Sequence, residues 1–250
     1  MLFRRTNPLS HRLARLAFYM ACAAALVVAA AAPLYRFLGL DLSLSLVLLR
    51  YGFYLAAAAV ALGLATVVPT RPGDRRRGFL AALLALAIGV AAAWLPASWF
   101  LRARQVPAIS DISTDTSNPP PLVVTAKMRQ GALTPATYPG ESAAQQQRAA
   151  YPDIQPMTLE VPPAEAFKKV DRVAMAMGWD VVARAPGDGR IEAIDQDKWF
   201  GLKDDIVVRI RADGDGSRVD IRSKSRAGSA DLGANAQRIR EFSQRLKAPE

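Results

Sequence analysis

The hydrophobic pattern changes character near residue 104. Before it, three runs carry no charged side chain: Leu16 to Tyr35, Tyr51 to Thr70 and Gly78 to Leu101. Each approaches the roughly 20 apolar residues that a helix needs to cross a bilayer core, where every backbone N–H and C=O must be satisfied internally. A helix buried in a soluble protein keeps a polar face, and these runs keep none. They predict transmembrane helices at about 16–35, 51–70 and 78–101, in a membrane anchor covering residues 1–104.

After residue 104 the periods are those of a folded domain, 105–250. Residues 105–163 hold 10 of the 17 prolines, Pro119-Pro120-Pro121 among them. Proline fixes φ and removes donors, so 105–156 reads as an extended wrap with little regular sheet. The wrap is expected to be ordered, because Val106, Ile109, Ile112, Leu122, Val123 and Val124 offer apolar contacts and Ser142 to Ala150 reads as a short helix. A core follows over 157–247. It starts with a strand at Met157 to Val161 and a helix opened by Pro162-Pro163, striped by Phe167, Val170, Val173, Ala174 and Met177 and ended by Gly178. Strands at Trp179 to Arg184, Arg190 to Gln196, Asp205 to Ala212 and Ser217 to Lys224 come next. Gly-rich turns join the first of these to the second and the third to the fourth. A last helix, about Asp231 to Lys247, carries Leu232, Ala236, Ile239, Phe242 or Ser243, and Leu246. The fold class is α+β, an antiparallel sheet in the order β-α-β-β-β-β-α with both helices on one face.

Composition narrows the function classes. A chain that is 51% hydrophobic is not disordered, and one Cys cannot make a disulfide framework. His11 and Cys22 are too few for the usual metal cages, and no cofactor motif appears. The net charge of +10 suggests nucleic acid until it is located. Residues 1–104 carry 12 Arg and 2 Asp, whereas residues 105–250 carry 20 basic and 20 acidic groups. The excess therefore sits beside the membrane spans and reads as topology, with no nucleic-acid partner. Arg4, Arg5, Arg12 and Arg15 before the first span, and Arg71, Arg75, Arg76 and Arg77 between the second and third, are expected in the cytoplasm. The C-terminal half is then outside, in the periplasm or its equivalent, on a multi-pass protein of the inner membrane. Arg50, at the outer end of the second span, reads as a snorkelling anchor beside an aromatic belt of Tyr51, Phe53 and Tyr54. A cleaved signal peptide is the rival for the first span and leads to the same exported half. Gly52, Gly63 and Gly89, with Ala17, Ala21 and Ala25, fit either a compact three-helix bundle or a homo-oligomer. No acidic or amide group lies within a span, which argues against a transporter.

Candidate chemistry is sparse. If Val219, Ile221 and Ser223 face inward, then Arg218, Asp220, Arg222 and Lys224 face outward with Arg209, Arg211, Arg190 and Glu192, giving an open face that leans basic. The run Ser223 to Ser229 leads into a helix N-terminus. Arg222, Lys224, Ser225, Arg226 and Asn235 are therefore the candidate residues for an anionic ligand, with capping by Ser229 or Asp231 as the alternative use of those donors. Asp195, Asp197, Asp204 and Asp205 bracket a loop and offer a carboxylate pair for acid/base work, though not at Ca²⁺-loop spacing. Trp199 and Phe200 on that loop are the candidate interface residues.

Several strings carry a resemblance: Asp111-Ile112-Ser113-Thr114-Asp115 with Asn118-Pro119-Pro120, Tyr151-Pro152-Asp153, Asp204 to Arg209, and Ser223 to Gly228 with Asp231-Leu232-Gly233-Ala234-Asn235. Over about residues 104–247 the chain resembles the bacterial family called domain of unknown function 1499. The resemblance implies that the wrap belongs to the domain, and it implies no reaction. The function these readings support is a noncatalytic membrane protein that displays an α+β domain to an envelope partner protein or to an anionic lipid or glycan. An envelope enzyme using the Asp pair and a membrane-tethered sensor are the alternatives.

Overall fold

The computed structural model describes residues 8–71, 76–228 and 230–248, apart from the side chains of residues 76 and 77. It divides into two compact units, Met1–Leu101 and Arg102–Glu250. Arg4, Arg5, Arg75 and Ser229, and the side chains of Arg76 and Arg77, lie outside the described residues.

The first unit is built from α1 (Pro8–Leu38), α2 (Leu42–Val67) and most of α3 (Arg76–Gln105). Its packing is small inside and large outside. Ala17, Ala21, Ala59 and Ala85 form one fully buried cluster, and Ala24, Ala56 and Ala92 another, while Leu26 and Trp94 stand 71% and 73% exposed. Water would disfavour that arrangement, whereas lipid tails are as apolar as the side chains they meet. With mean hydropathies of 2.0, 1.7 and 2.3, the three helices make this a membrane protein. The second helix begins at Leu42 and not at Tyr51, because Asp41 caps it by accepting a hydrogen bond from the Ser43 amide at 2.8 Å. Arg50 therefore lies about two turns inside α2. It is exposed there and reaches along the helix to the Tyr54 hydroxyl at 3.2 Å.

Close approach in this bundle depends on glycine. A Cβ at Gly89 would stand 2.7 Å from Val60 Cγ2, and one at Gly52 would stand 2.7 Å from Val28 Cγ2. Gly89→Val is expected to destabilise the bundle by about 1–3 kcal/mol through overpacking. Thermal unfolding of the full chain in nanodiscs, followed by helical circular dichroism, checks this.

The second unit has three layers. Its sheet runs in the order β1-β6-β5-β4-β3, all pairs antiparallel, with β1 (Asp111–Ser113), β3 (Asp180–Ala185), β4 (Arg190–Gln196), β5 (Lys203–Asp213) and β6 (Gly216–Ser225). A further short strand, β2 (Met157–Leu159), also pairs with β6. The outer edge of β6 is thus divided: β2 takes Ser217 to Val219 and β1 takes Arg222 to Lys224. The wrap between β1 and β2 adds two helices, α4 (Val124–Lys127) and α5 (Glu141–Ala150). The strand β1 within the wrap is sheet that the proline density did not announce.

One sheet face is apolar. Ile191, Ala193, Ile206, Val208, Ile210, Val219 and Ile221 share a single core with Val170, Val173 and Ala174 of α6 (Pro163–Ala176), and with Ala236, Ile239, Phe242 and Leu246 of α7 (Ala234–Lys247). Both helices therefore cover the same face, as their stripes predict. Phe242, not Ser243, takes the disputed position and stacks on Trp179 at 5.5 Å. Ser243 instead donates to the Ile239 carbonyl. Gly178 ends α6 at φ +76. Gly189, at φ +58, closes the β3–β4 turn where a Cβ would meet the Ile210 carbonyl oxygen at 2.1 Å.

Candidate functional site

The opposite sheet face carries the charges. Alternation along β6 does place Asp220, Arg222 and Lys224 away from the core, with Arg209 on β5 and Glu192 on β4 beside them in register. The face expected to be open is nevertheless closed. Glu192, Asp205 and Asp220 are fully buried and Arg222 and Lys224 nearly so. The wrap covers them and supplies partners to all but Asp220, whose three arginines come from β5 and β6.

Asp111, on β1, holds two cations. Its carboxylate takes Arg222 in a two-point bond, Nε at 2.8 Å and Nη2 at 2.9 Å, and Lys224 Nζ at 2.7 Å. Arg222 also donates to the carbonyls of Pro120 at 3.2 Å and Ala136 at 2.9 Å, and lies over the Tyr138 ring. The proline-rich segment suits this role, because carbonyls outside a regular ladder remain available to guanidinium donors. Burial lowers the Lys224 pKa and Asp111 partly restores it. Burial, and then Asp111, push the Tyr138 hydroxyl up to about 12.

Three further clusters follow. Asp205 takes Arg226 at 2.6 Å and also Arg129, whose guanidinium donates to the carbonyls of Ser225 and Thr134. Glu192 accepts from the amides of Val123, Val124 and Thr125 and from the Thr125 hydroxyl, between 2.8 and 3.1 Å, and so acts as the N-terminal cap of α4. Arg190 adds a bond at 3.1 Å. Burial raises the Glu192 pKa, but the Thr125 and Val124 amides with the Thr125 hydroxyl outweigh it and hold the carboxyl below its usual value. Last, Arg209, Arg211 and Arg218 gather on Asp220 and Asp115 at 2.8 to 3.6 Å. Three guanidiniums on two carboxylates leave one positive charge over. This cluster opens to solvent, its Arg211 and Arg218 side chains being 42% and 35% exposed.

The remaining candidates are engaged elsewhere. Asn235 is fully buried, accepting from Ser223 Oγ at 2.6 Å and donating to Ser225 Oγ at 2.9 Å and the Ser110 carbonyl at 3.2 Å. Asp231 caps α7, accepting from the Gly233 and Asn235 amides at 2.8 Å, which fills the helix terminus proposed for an anion. Arg222, Lys224, Ser225, Arg226 and Asn235 are thus divided, Arg222 and Lys224 meeting on Asp111, Arg226 on Asp205, and Ser225 and Asn235 on each other, all of them engaged within the fold. The four aspartates divide. Asp195 and Asp204 face each other across β4 and β5 and are bridged by Arg238 at 2.8 and 2.7 Å, Asp205 lies on the other face, and Asp197 accepts three amides of its own loop. Among the described residues no group of three or more His, Cys, Asp or Glu side chains is placed to hold a metal. Phe200 is buried against an edge of the half-buried Trp199, at 4.9 Å between ring centres.

The strings that carry these partners, from Asp111 through Asp115 to Arg226 and Asn235, fall within residues 111–246, which match a family model described as a protein of unknown function, DUF1499. The chain belongs to the DUF1499 family. A search of curated proteins finds no match. Asp111 opens the DUF1499 match, so the wrap that buries the charged face is part of the family domain. Asp111, Asp115, Glu192 and Arg129, not singled out as site residues from the sequence, are the ones that organise this face.

Proposed function

We propose that this DUF1499 protein is a noncatalytic, multi-pass protein of the inner membrane, N-terminus in the cytoplasm, whose C-terminal domain stands outside the cytoplasm and binds an anionic envelope component. The observation that carries the binding reading is the unbalanced arginine cluster. Arg211 and Arg218 are cross-strand neighbours, a like-charge pairing that costs stability unless an anion offsets it. Asp115 and Asp220 offset only part, because Arg209 draws on both. A phosphate or carboxylate at the exposed rims of Arg211 and Arg218 completes the balance with charge-assisted bonds. Arg222, Lys224, Ser225, Arg226 and Asn235 then serve as the buried frame that fixes the strand, not as the contact surface. The carboxylates suited to acid/base work are held in ion pairs or caps, which supports binding over catalysis. Arg12 and Arg15 at the start of α1, and Arg71 after α2, support the orientation.

Two measurements test the reading. Reporter fusions at positions 74 and 250 are expected to be active inside and outside the cytoplasm, respectively. Titration of the full chain in neutral nanodiscs with inorganic pyrophosphate is expected to give saturable heat, weakened at least about tenfold in Arg211→Ala/Arg218→Ala, since one charge-assisted bond contributes about 1.5–3 kcal/mol. Unchanged binding in that variant removes the cluster from the site.

A further inference from the structure

The end of the sheet at which β4 stops and β5 starts gathers a second set of residues. The Arg226 amide donates to the Lys203 carbonyl at 3.0 Å, the Leu133 amide donates to the Arg226 carbonyl at 2.8 Å, and the Arg226 guanidinium donates to the Met128 carbonyl at 2.9 Å. Segments 127–133 and 197–203 therefore meet around Arg226. Three large apolar side chains stand exposed in the described part of the second unit beyond α3: Met128 (44%), Leu133 (70%) and Met175 (60%). Two of the three, Met128 and Leu133, fall in this one segment, and the half-buried Trp199 lies on the β4–β5 loop that leads to Lys203. Lys127 and Lys203 are exposed beside them. The nearby carboxylates are already engaged: Asp195 and Asp204 by Arg238, Asp205 by Arg129 and Arg226, and Asp197 by its loop amides.

The chain reaches β1 at this same end, since the Ser225 amide donates to the Ser110 carbonyl at 2.9 Å. Only residues 106–110 separate β1 from the end of α3 at Gln105. Five residues span less than about 20 Å even when fully extended.

We propose that this end of the domain docks on the headgroup layer of the membrane that holds its own helices. Met128, Leu133 and Trp199 enter the headgroup region, and Lys127 and Lys203 meet anionic lipid phosphates. Apolar and aromatic side chains edged by lysines are what an interfacial surface requires, and the short tether holds the lipid within reach. The inference rests on membrane anchoring and is independent of the arginine cluster, which lies toward the opposite end of β5.

The test uses the full chain, carrying Cys22→Ser, with a fluorophore at Gln130→Cys or, as a control at the far end of β4, at Gly187→Cys. Nanodiscs contain a lipid spin-labelled on its headgroup, in phosphatidylcholine with or without phosphatidylglycerol. Quenching is expected at position 130 and not at 187, and to depend on phosphatidylglycerol. Lys127→Gln and Lys203→Gln should each weaken the docked state about fivefold, which corresponds to one basic residue near an anionic surface. Equal quenching at both ends, or quenching at 130 that ignores phosphatidylglycerol and both lysine substitutions, overturns the proposal. Loss of pyrophosphate binding alone would count against the arginine cluster and leave this surface standing.

Discussion

Asp111→Ala is expected to destabilise the second unit by about 3–5 kcal/mol, the cost of leaving buried charge without its partner. Arg222 and Lys224 are each 3% exposed at the side chain and share that one carboxylate. Removing it strands two cations against each other, and neither can rotate into water without opening the wrap. Arg222 keeps its bonds to the Pro120 and Ala136 carbonyls, which moderates the loss without neutralising the charge. The comparison is Asp171→Ala, whose pair with Arg184 is exposed and is expected to change stability by less than about 1 kcal/mol. Hydrogen exchange of the β6 amides in the full chain reads both, because those amides exchange through opening of the sheet itself. Equal effects of the two substitutions would refute the view that the buried pair is the stronger constraint.

Glu192→Gln should cost about 3 kcal/mol and should also change how the domain responds to acid. The carboxylate supplies the acceptors that the amides at the start of α4 lack within the helix, taking three amides and a hydroxyl at once. A carboxamide has one acceptor oxygen and turns two donors toward groups that also donate. Because the folded pKa of Glu192 is depressed, its contribution is fully present above the unfolded value of about 4.3 and is lost as pH falls through the lower folded value. The substituted protein should therefore lose stability at neutral pH and show a shallower acid limb between those two values. Urea midpoints measured from neutral pH down to the acid transition would reveal both changes.

The sequence made some of this visible and hid the rest for physical reasons. Period and turn chemistry are local, so the spans, the two striped helices and the Gly-rich turns could be read directly. Alternation told correctly which β6 side chains leave the core. It could not tell what lies over them, because Asp111 and Arg222 are separated by 111 positions and no periodicity connects them. The helix start at Leu42 is hidden for a related reason: the uncharged run begins only after Arg50, whereas the helix tolerates one exposed guanidinium with Tyr54 to lie on. Arg238, which joins Asp195 to Asp204, occupies a polar position of α7, where helical periodicity does not distinguish a bridging arginine from a solvated one. Sequence offered carboxylates by proximity along the chain, and the fold sorted them by face.

The divided edge of β6 carries a consequence for assembly during synthesis. β1 has no strand to pair with until residues 222–224 exist, yet it leaves the ribosome more than a hundred residues ahead of them. Closing so long a loop is entropically costly, and topologies dominated by such contacts fold slowly. Through that interval Asp111 has neither Arg222 nor Lys224 to pair with. The last strand made is then the one that both β1 and β2 await, so completion of β6 sets the moment at which the whole charged layer leaves water.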